Sequence, residues 1–231
     1  MSNEFNFSVG ADGLVSVRVN NPDGTSSNKV VKYEDFSRIF LLDNQEIDLP
    51  LFPRGLRKYM VRGERTLVAI EYPATVVETA RWRGQDTYRT IPVPPSVWFT
   101  LLQNAPNGNY KIIKSHLYAL DFTGLMNQDS NLYKWPFPNH SLTYTPGICW
   151  GNDNHFSAIK NDCSLSNLSS LFSMYFSAEF NNDLGFHINH PNSDGNIFDM
   201  IKGEEEYDPS WLVPQGHNLN AAIENLIGSS R

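Results

Sequence analysis

Cys149 and Asn139 are the residues of this chain whose types and spacing suit joint chemistry. They lie in residues 132–151, LYKWPFPNHSLTYTPGICWG. Asn139 follows Pro138 in a turn-rich segment and stands ten positions before Cys149 (149 minus 139). The cysteine is bracketed by Gly147-Ile148 and Trp150-Gly151. A thiolate is the nucleophilic form of cysteine, and it needs exposure and a lowered pKa rather than burial. A nearby amide can donate a hydrogen bond to the oxyanion formed when a thioester is attacked. The same pattern also describes a small, half-buried cysteine packed at a turn. Residue types alone leave both readings open.

Other groupings are weaker. His187, His190 and Asp194 fall within eight positions, a spacing a divalent metal tolerates in a loop, but an ordinary polar loop reads the same way. Cys149, Cys163 and His155 lack a fourth zinc ligand and fit no common spacing. Asp153 and His155 follow Cys149 closely enough to tune it, or to be solvated loop residues. No Gly-rich phosphate loop, Gly-x-Ser-x-Gly or His-Glu-x-x-His occurs. The expectation is no cofactor and no metal.

The elements that must position these residues follow from patterning. Residues 1–50 read as a small β-rich unit. Phe5 to Val9 and Gly13 to Val19 alternate like strands, Asn21-Pro-Asp-Gly-Thr is a turn, and Lys29 to Tyr33 returns as a third strand. Phe36, Ile39 and Phe40 then give the stripe of an amphipathic helix. Residues 51–231 form the larger unit. Strands are predicted at 56–61, 66–72 and 110–120, with a hairpin of 76–82 and 88–93 turning at Gly84; the type of 96–102 is left open by its pattern, its β-branched and aromatic content suiting a strand in a meander. Leu165, Leu168, Leu171, Phe172, Tyr175 and Phe176 share one face of a helix predicted over 164–180, with Ser164 as N-cap. The run from Gly203 to Asp208 is acidic and reads as solvated, and 218–227 reads as a closing helix.

At 231 residues, 40% hydrophobic, with 14 Phe, 10 Tyr and 5 Trp, the chain can bury a sizeable core. A net charge of −7 without a basic run argues against nucleic-acid partners. No apolar run has membrane-span length, and Met1-Ser-Asn-Glu-Phe carries no secretory pattern. The expected setting is cytoplasmic, with both cysteines reduced.

The region around Cys149 resembles the active-site region of the ubiquitin-conjugating-enzyme (UBC) superfamily, where His-Pro-Asn precedes Gly-x-Ile-Cys-Leu. It is more similar to the prokaryotic branch called family D, or PRTRC system protein B. There Leu-Tyr-x-x-Pro, aromatic-x-Asn and Gly-x-Cys-x-Gly follow in order, and Leu132, Tyr133, Pro136, Asn139, Gly147, Cys149 and Gly151 fall on them. Tyr175, Phe176 and Phe180 fall on that branch's aromatic-aromatic-x-Ser-x-Phe pattern, with Ala178 at the serine position. Phe137 stands where the family has the His of His-Pro-Asn, His140 follows the Asn instead, and Trp150-Gly151 replaces Leu-Asp. The resemblance implies an α+β fold: a UBC-like four-stranded antiparallel meander flanked by helices, here preceded by the β-rich unit. It implies that Cys149 carries a ubiquitin-like C-terminus as a thioester received from an activating-enzyme-like partner. Asn139 would stabilise the oxyanion, and Asp183, in the turn Asn181-Asn182-Asp183-Leu184, would help the incoming amine. The superfamily also contains non-catalytic modules, so the alternative is a binding or structural subunit of a larger, phage- or plasmid-encoded assembly.

Overall fold

In a computed structural model of the chain, the structure describes residues 4–10, 14–21, 23–33, 53–105, 109–121, 129–141, 147–150, 154–191 and 196–228. The helix expected from the stripe of Phe36, Ile39 and Phe40 lies outside them.

The fold is α+β, built on a nine-stranded sheet in which every pairing is antiparallel. Its strands are β1 (Glu4–Val9), β2 (Leu14–Asn20), β3 (Ser26–Lys32), β4 (Leu56–Arg62), β5 (Arg65–Tyr72), β8 (Ser96–Asn104), β9 (Tyr110–Ala119), β10 (Asn131–Lys134) and β14 (Pro214–Asn218). In space they run β14-β10-β9-β8-β5-β4-β1-β2-β3. The three N-terminal strands join the rest through β1 and β4, with Asn6 opposite Met60 and Phe7 opposite Tyr59. The turn between β2 and β3 forms as its residues require. Gly24 takes φ +83, and Asp23 Oδ1 accepts from the Thr25 N–H at 2.9 Å.

The predicted hairpin also forms, as β6 (Thr75–Trp82) against β7 (Tyr88–Val93), with Gly84 at φ +78. It leaves the main sheet, however. It makes a second sheet with β13 (Glu179–Phe180), which pairs parallel to β6. Thus β5 pairs directly with β8, and the hairpin lies to one side.

The faces of the large sheet separate by strand alternation. Leu67 and Ala69 on β5 and Val97 and Phe99 on β8 face one core, closed by helix α4 (Leu219–Gly228) through Leu219, Ala222, Ile223 and Leu226. Val68, Ile70, Trp98 and Leu102 face the other core. On β9 the alternation breaks once. Leu101 opposes Lys114 and Leu102 opposes Ile112, so Ile113 is an extra residue, 43% exposed. This bulge explains why Ile112 and Leu117 share a core despite an odd separation.

The second core is covered by residues 165–177. The helix predicted over 164–180 is shorter and divided: a 3-10 turn Leu165–Ser169, then α2 (Ser170–Ser177), then β13. Ser164 makes no side-chain cap; its Oγ contacts Ser166 Oγ at 2.8 Å. Ser169, Ser170, Ser173 and Ser177 each donate from Oγ to a carbonyl three or four residues back, a competition that serine brings to a helix interior. The apolar stripe packs as expected, with Leu165, Leu168, Leu171, Tyr175 and Phe176 buried. No helix among the described residues is long and apolar enough to cross a membrane.

Candidate functional site

The segment from β10 to Cys149 is shaped by what lies beneath it. After Lys134 the chain turns inward. Trp135 and Phe137 are both fully buried and pack edge-on, with ring centroids 5.3 Å apart. A buried indole needs a partner for its N–H. Trp135 Nε1 donates to the Tyr175 hydroxyl of α2 at 2.8 Å. That hydroxyl in turn donates to the Pro138 carbonyl. One oxygen therefore ties the aromatic floor to the Pro138-Asn139 turn. Burial raises the Tyr175 pKa well above that of an ordinary phenol, so it stays a donor.

Asn139 is next. Its φ of +60 is the one left-handed non-glycine among the described residues, and Asn tolerates that region better than most side chains. Asn139 is 6% exposed, and its Nδ2 donates to the Glu179 carbonyl of β13 at 2.9 Å. Its own carbonyl accepts from the Cys149 N–H at 2.8 Å. Between these two residues runs a short antiparallel ribbon, β11 (His140–Ser141) with β12 (Gly147–Ile148). Gly147 lies so close to β9 that a Cβ there would sit 3.0 Å from the Ser115 carbonyl oxygen. Beyond Cys149, Trp150 stacks on Phe156 of α1 (Asn154–Lys160) at 4.1 Å.

The two cysteines differ sharply. Cys149 is exposed, whereas Cys163 is buried. The Cys163 thiol donates to the Ser164 carbonyl, and burial, helped by Asp162, pushes its pKa up to about 11. Cys149 is thus the accessible sulfur, on a loop fixed from both sides.

The structure brings Cys149 and Asn139 together through the backbone, with the Asn139 amide turned inward to Glu179. Asp183 lies four residues beyond Glu179, exposed in a turn where its N–H donates to Asn181 Oδ1 at 2.8 Å. Asp153 and the side chain of His155 lie outside the described residues. So does Asp194. Of its suggested partners, His190 packs edge-on against Trp211 at 4.7 Å, and the His187 N–H donates to the Pro136 carbonyl. Among the described residues, no group of three or more His, Cys, Asp and Glu is placed to hold a metal.

Sequence reasoning missed the histidines under the ribbon. His140 is 1% exposed, and its Nε2 accepts from the Leu117 N–H at 3.1 Å, which puts the ring proton on Nδ1. His116 is 4% exposed, its ring centroid 6.1 Å from that of His140, and neither of its nitrogens has a hydrogen-bond partner among the described residues. Burial, then Lys114, lowers the His116 pKa to about 4. Burial, then His116 and His187, holds His140 well below the ordinary imidazole range. Both rings are neutral near pH 7. The only sequence signal for this was a His next to the Asn.

Compared with family models, with curated proteins and with solved structures, the chain matches none.

Proposed function

We propose that the chain is a thioester-carrying transferase of the ubiquitin-like conjugating kind. The thiolate of Cys149 attacks the acyl carbon of a ubiquitin-like C-terminus held as a thioester on an activating-enzyme-like partner, and the partner's thiolate leaves. An acceptor amine then attacks the Cys149 thioester, the Cys149 thiolate leaves, and the amine proton passes to a base, with Asp183 as the acidic residue nearest that role in sequence order. The observation that carries the proposal is the exposed Cys149 whose N–H is bonded to Asn139, on a loop pinned to the core by Tyr175. In this reading Asn139 first acts as a positioning residue. Its left-handed backbone aims the carbonyl at Cys149, and its amide anchors the turn to Glu179. Support for a UBC-like scaffold comes from an antiparallel four-stranded run, β4-β5-β8-β9, within the large sheet.

A second reading rests on one observation. The Asn139 amide is already bonded to a backbone carbonyl, as suits a purely structural turn in a non-catalytic module of a larger assembly.

The experiment that separates them incubates the full chain with ATP, a ubiquitin-like protein and an activating enzyme encoded beside it. A thiol-sensitive adduct on wild type, absent in Cys149→Ala, is the expected result. No adduct, together with full biological activity of Cys149→Ala, would establish the module.

A further inference from the structure

A second concave site takes in part of the acidic run from Gly203 to Asp208. Pro94-Pro95 carries the chain from β7 of the small sheet into β8 of the large one, and the Leu120 N–H at the end of β9 donates to the Pro95 carbonyl at 2.8 Å. The segment from Glu205 to Leu212 lies against this junction, and together they bound a cavity of about 400 Å³. Its floor is apolar, with Pro94, Leu120 and Leu212 all buried. Its charged groups are all acidic: Asp121, Glu205 and Glu206 line it, and no Lys, Arg or His among the described residues does. Asp121 is engaged, accepting from the Tyr133 hydroxyl at 2.6 Å. Glu205 and Glu206 are exposed, and their carboxylates have no ion-pair or hydrogen-bond partner among the described residues. Tyr207 differs from these neighbours. It lines the same cavity at only 8% exposure, with its ring held edge-on to Trp211, 5.4 Å between centroids. Its hydroxyl is buried and has no hydrogen-bond partner among the described residues. An unpaired buried hydroxyl is costly, and a ligand that supplies the partner recovers that cost.

We propose that this cavity binds a small organic cation, an ammonium carried on an apolar body. Unneutralised carboxylates at the rim of a concave site raise the local concentration of cations, and the chain's net charge of −7 adds to that pull. The apolar floor takes the body of the ligand, and the Tyr207 oxygen is an acceptor for its N–H. The volume suits a small ligand. An anion is repelled by the carboxylates, and Pro94 and Pro95 offer it no backbone donor. A bare metal ion would leave the apolar floor unused, and among the described residues no group of three or more His, Cys, Asp and Glu is placed to hold one.

The test is calorimetric titration of the full chain with phenethylamine hydrochloride, beside the neutral 2-phenylethanol and the anionic phenylacetate. Phenethylamine binds about tenfold more tightly than 2-phenylethanol, and phenylacetate gives no heat of binding. Replacing both exposed carboxylates, Glu205→Gln with Glu206→Gln, weakens phenethylamine about tenfold, leaves 2-phenylethanol unchanged and keeps the wild-type thermal midpoint. Tyr207→Phe weakens phenethylamine about fivefold, the scale of one hydrogen bond, and melts no lower than wild type because the unpaired hydroxyl is gone. No binding of phenethylamine, the same affinity in the double carboxylate variant, or phenylacetate binding as tightly, overturns the proposal. So does a capped lysine peptide that binds where phenethylamine does not, which would make the cavity a docking site for a protein segment.

Discussion

Replacing Tyr175 by Phe removes one oxygen and leaves the ring, so it isolates the clamp between the aromatic floor and the Pro138-Asn139 turn. The hydroxyl accepts from Trp135 Nε1 at 2.8 Å and donates to the Pro138 carbonyl, and Trp135 and Tyr175 are no more than 1% exposed. Loss of the oxygen strands two buried polar groups, each costing about 1–3 kcal/mol. Part of this is recovered because the mutant no longer buries a hydroxyl. The expected loss is about 2–4 kcal/mol in urea denaturation, with an unchanged denaturant slope. A second effect follows from connectivity. The Cys149 N–H is held by the carbonyl of Asn139, the residue after Pro138. Freeing that turn alters the rate at which Cys149 reacts with a small alkylating agent in native buffer. The double variant with Trp135→Phe measures the coupling, because one of the stranded groups is then gone. A loss below about 0.5 kcal/mol with an unchanged Cys149 alkylation rate would refute the clamp.

Further predictions concern acid and glycine. His116, lowered to about 4 by burial, is neutral in the folded protein, while the unfolded chain binds its proton near the ordinary value of 6.5. Its stabilising contribution is therefore complete above about pH 6.5 and is lost as pH falls toward 4, to a total of about 3 kcal/mol. Urea melts from pH 7.5 to 4.5 should show this decline, and His116→Gln should flatten it. A stability that rises on acidification in wild type, with no difference in the variant, would contradict it. Gly55→Ala should abolish folding or cost more than about 3 kcal/mol, since a Cβ there would meet the Glu71 carbonyl oxygen at 2.3 Å, at a φ of +80. Gly84→Ala, at φ +78 with nothing within 4 Å, should cost only about 1 kcal/mol, and thermal melts compare the two.

Local pattern carried much of this fold. Alternation placed β2, β4 and β5, and the turn residues Asp23 and Gly24 join β2 to β3 as their chemistry requires. The stripe Leu219, Ala222, Ile223 and Leu226 is the buried face of α4. Where pattern failed, a distant partner decided. The hairpin β6–β7 left the main sheet because its outer edge pairs with β13, nearly a hundred residues later. The bulge at Ile113 is invisible in a run whose residues all suit a strand. The serines that divide the segment before β13 do so through side-chain bonds that an apolar periodicity does not report. At the site, the choice of Cys149 and Asn139 was legible from residue types and motif. The direction of the Asn139 amide was not, because the carbonyl that takes it belongs to Glu179, forty positions on. The neutral His116–His140 pair was hidden for the same reason, since each ring is defined by strands remote from it.

The outer edge of β9 explains why so many of these residues converge. A long strand edge exposes backbone donors and acceptors that must be satisfied or blocked. Along β9 this is done piecemeal. Tyr110 bridges to Cys163, the Leu117 N–H is taken by the His140 imidazole, Gly147 packs against the Ser115 carbonyl, and only Tyr118 and Ala119 pair with β10. The segment that delivers Cys149 is thus part of the cover of the sheet edge. Its neighbours His140, Gly147 and Asn139 serve the fold whatever the chemistry, and changing any of them should lower stability. Cys149 differs from them: its sulfur is exposed, and the bond that holds it comes from its backbone. Cys149→Ser should therefore leave the urea midpoint within about 0.5 kcal/mol of wild type, as for a surface substitution. A large loss of stability in Cys149→Ser would mean that the sulfur itself packs, and the case for a nucleophile at this position would fall with it.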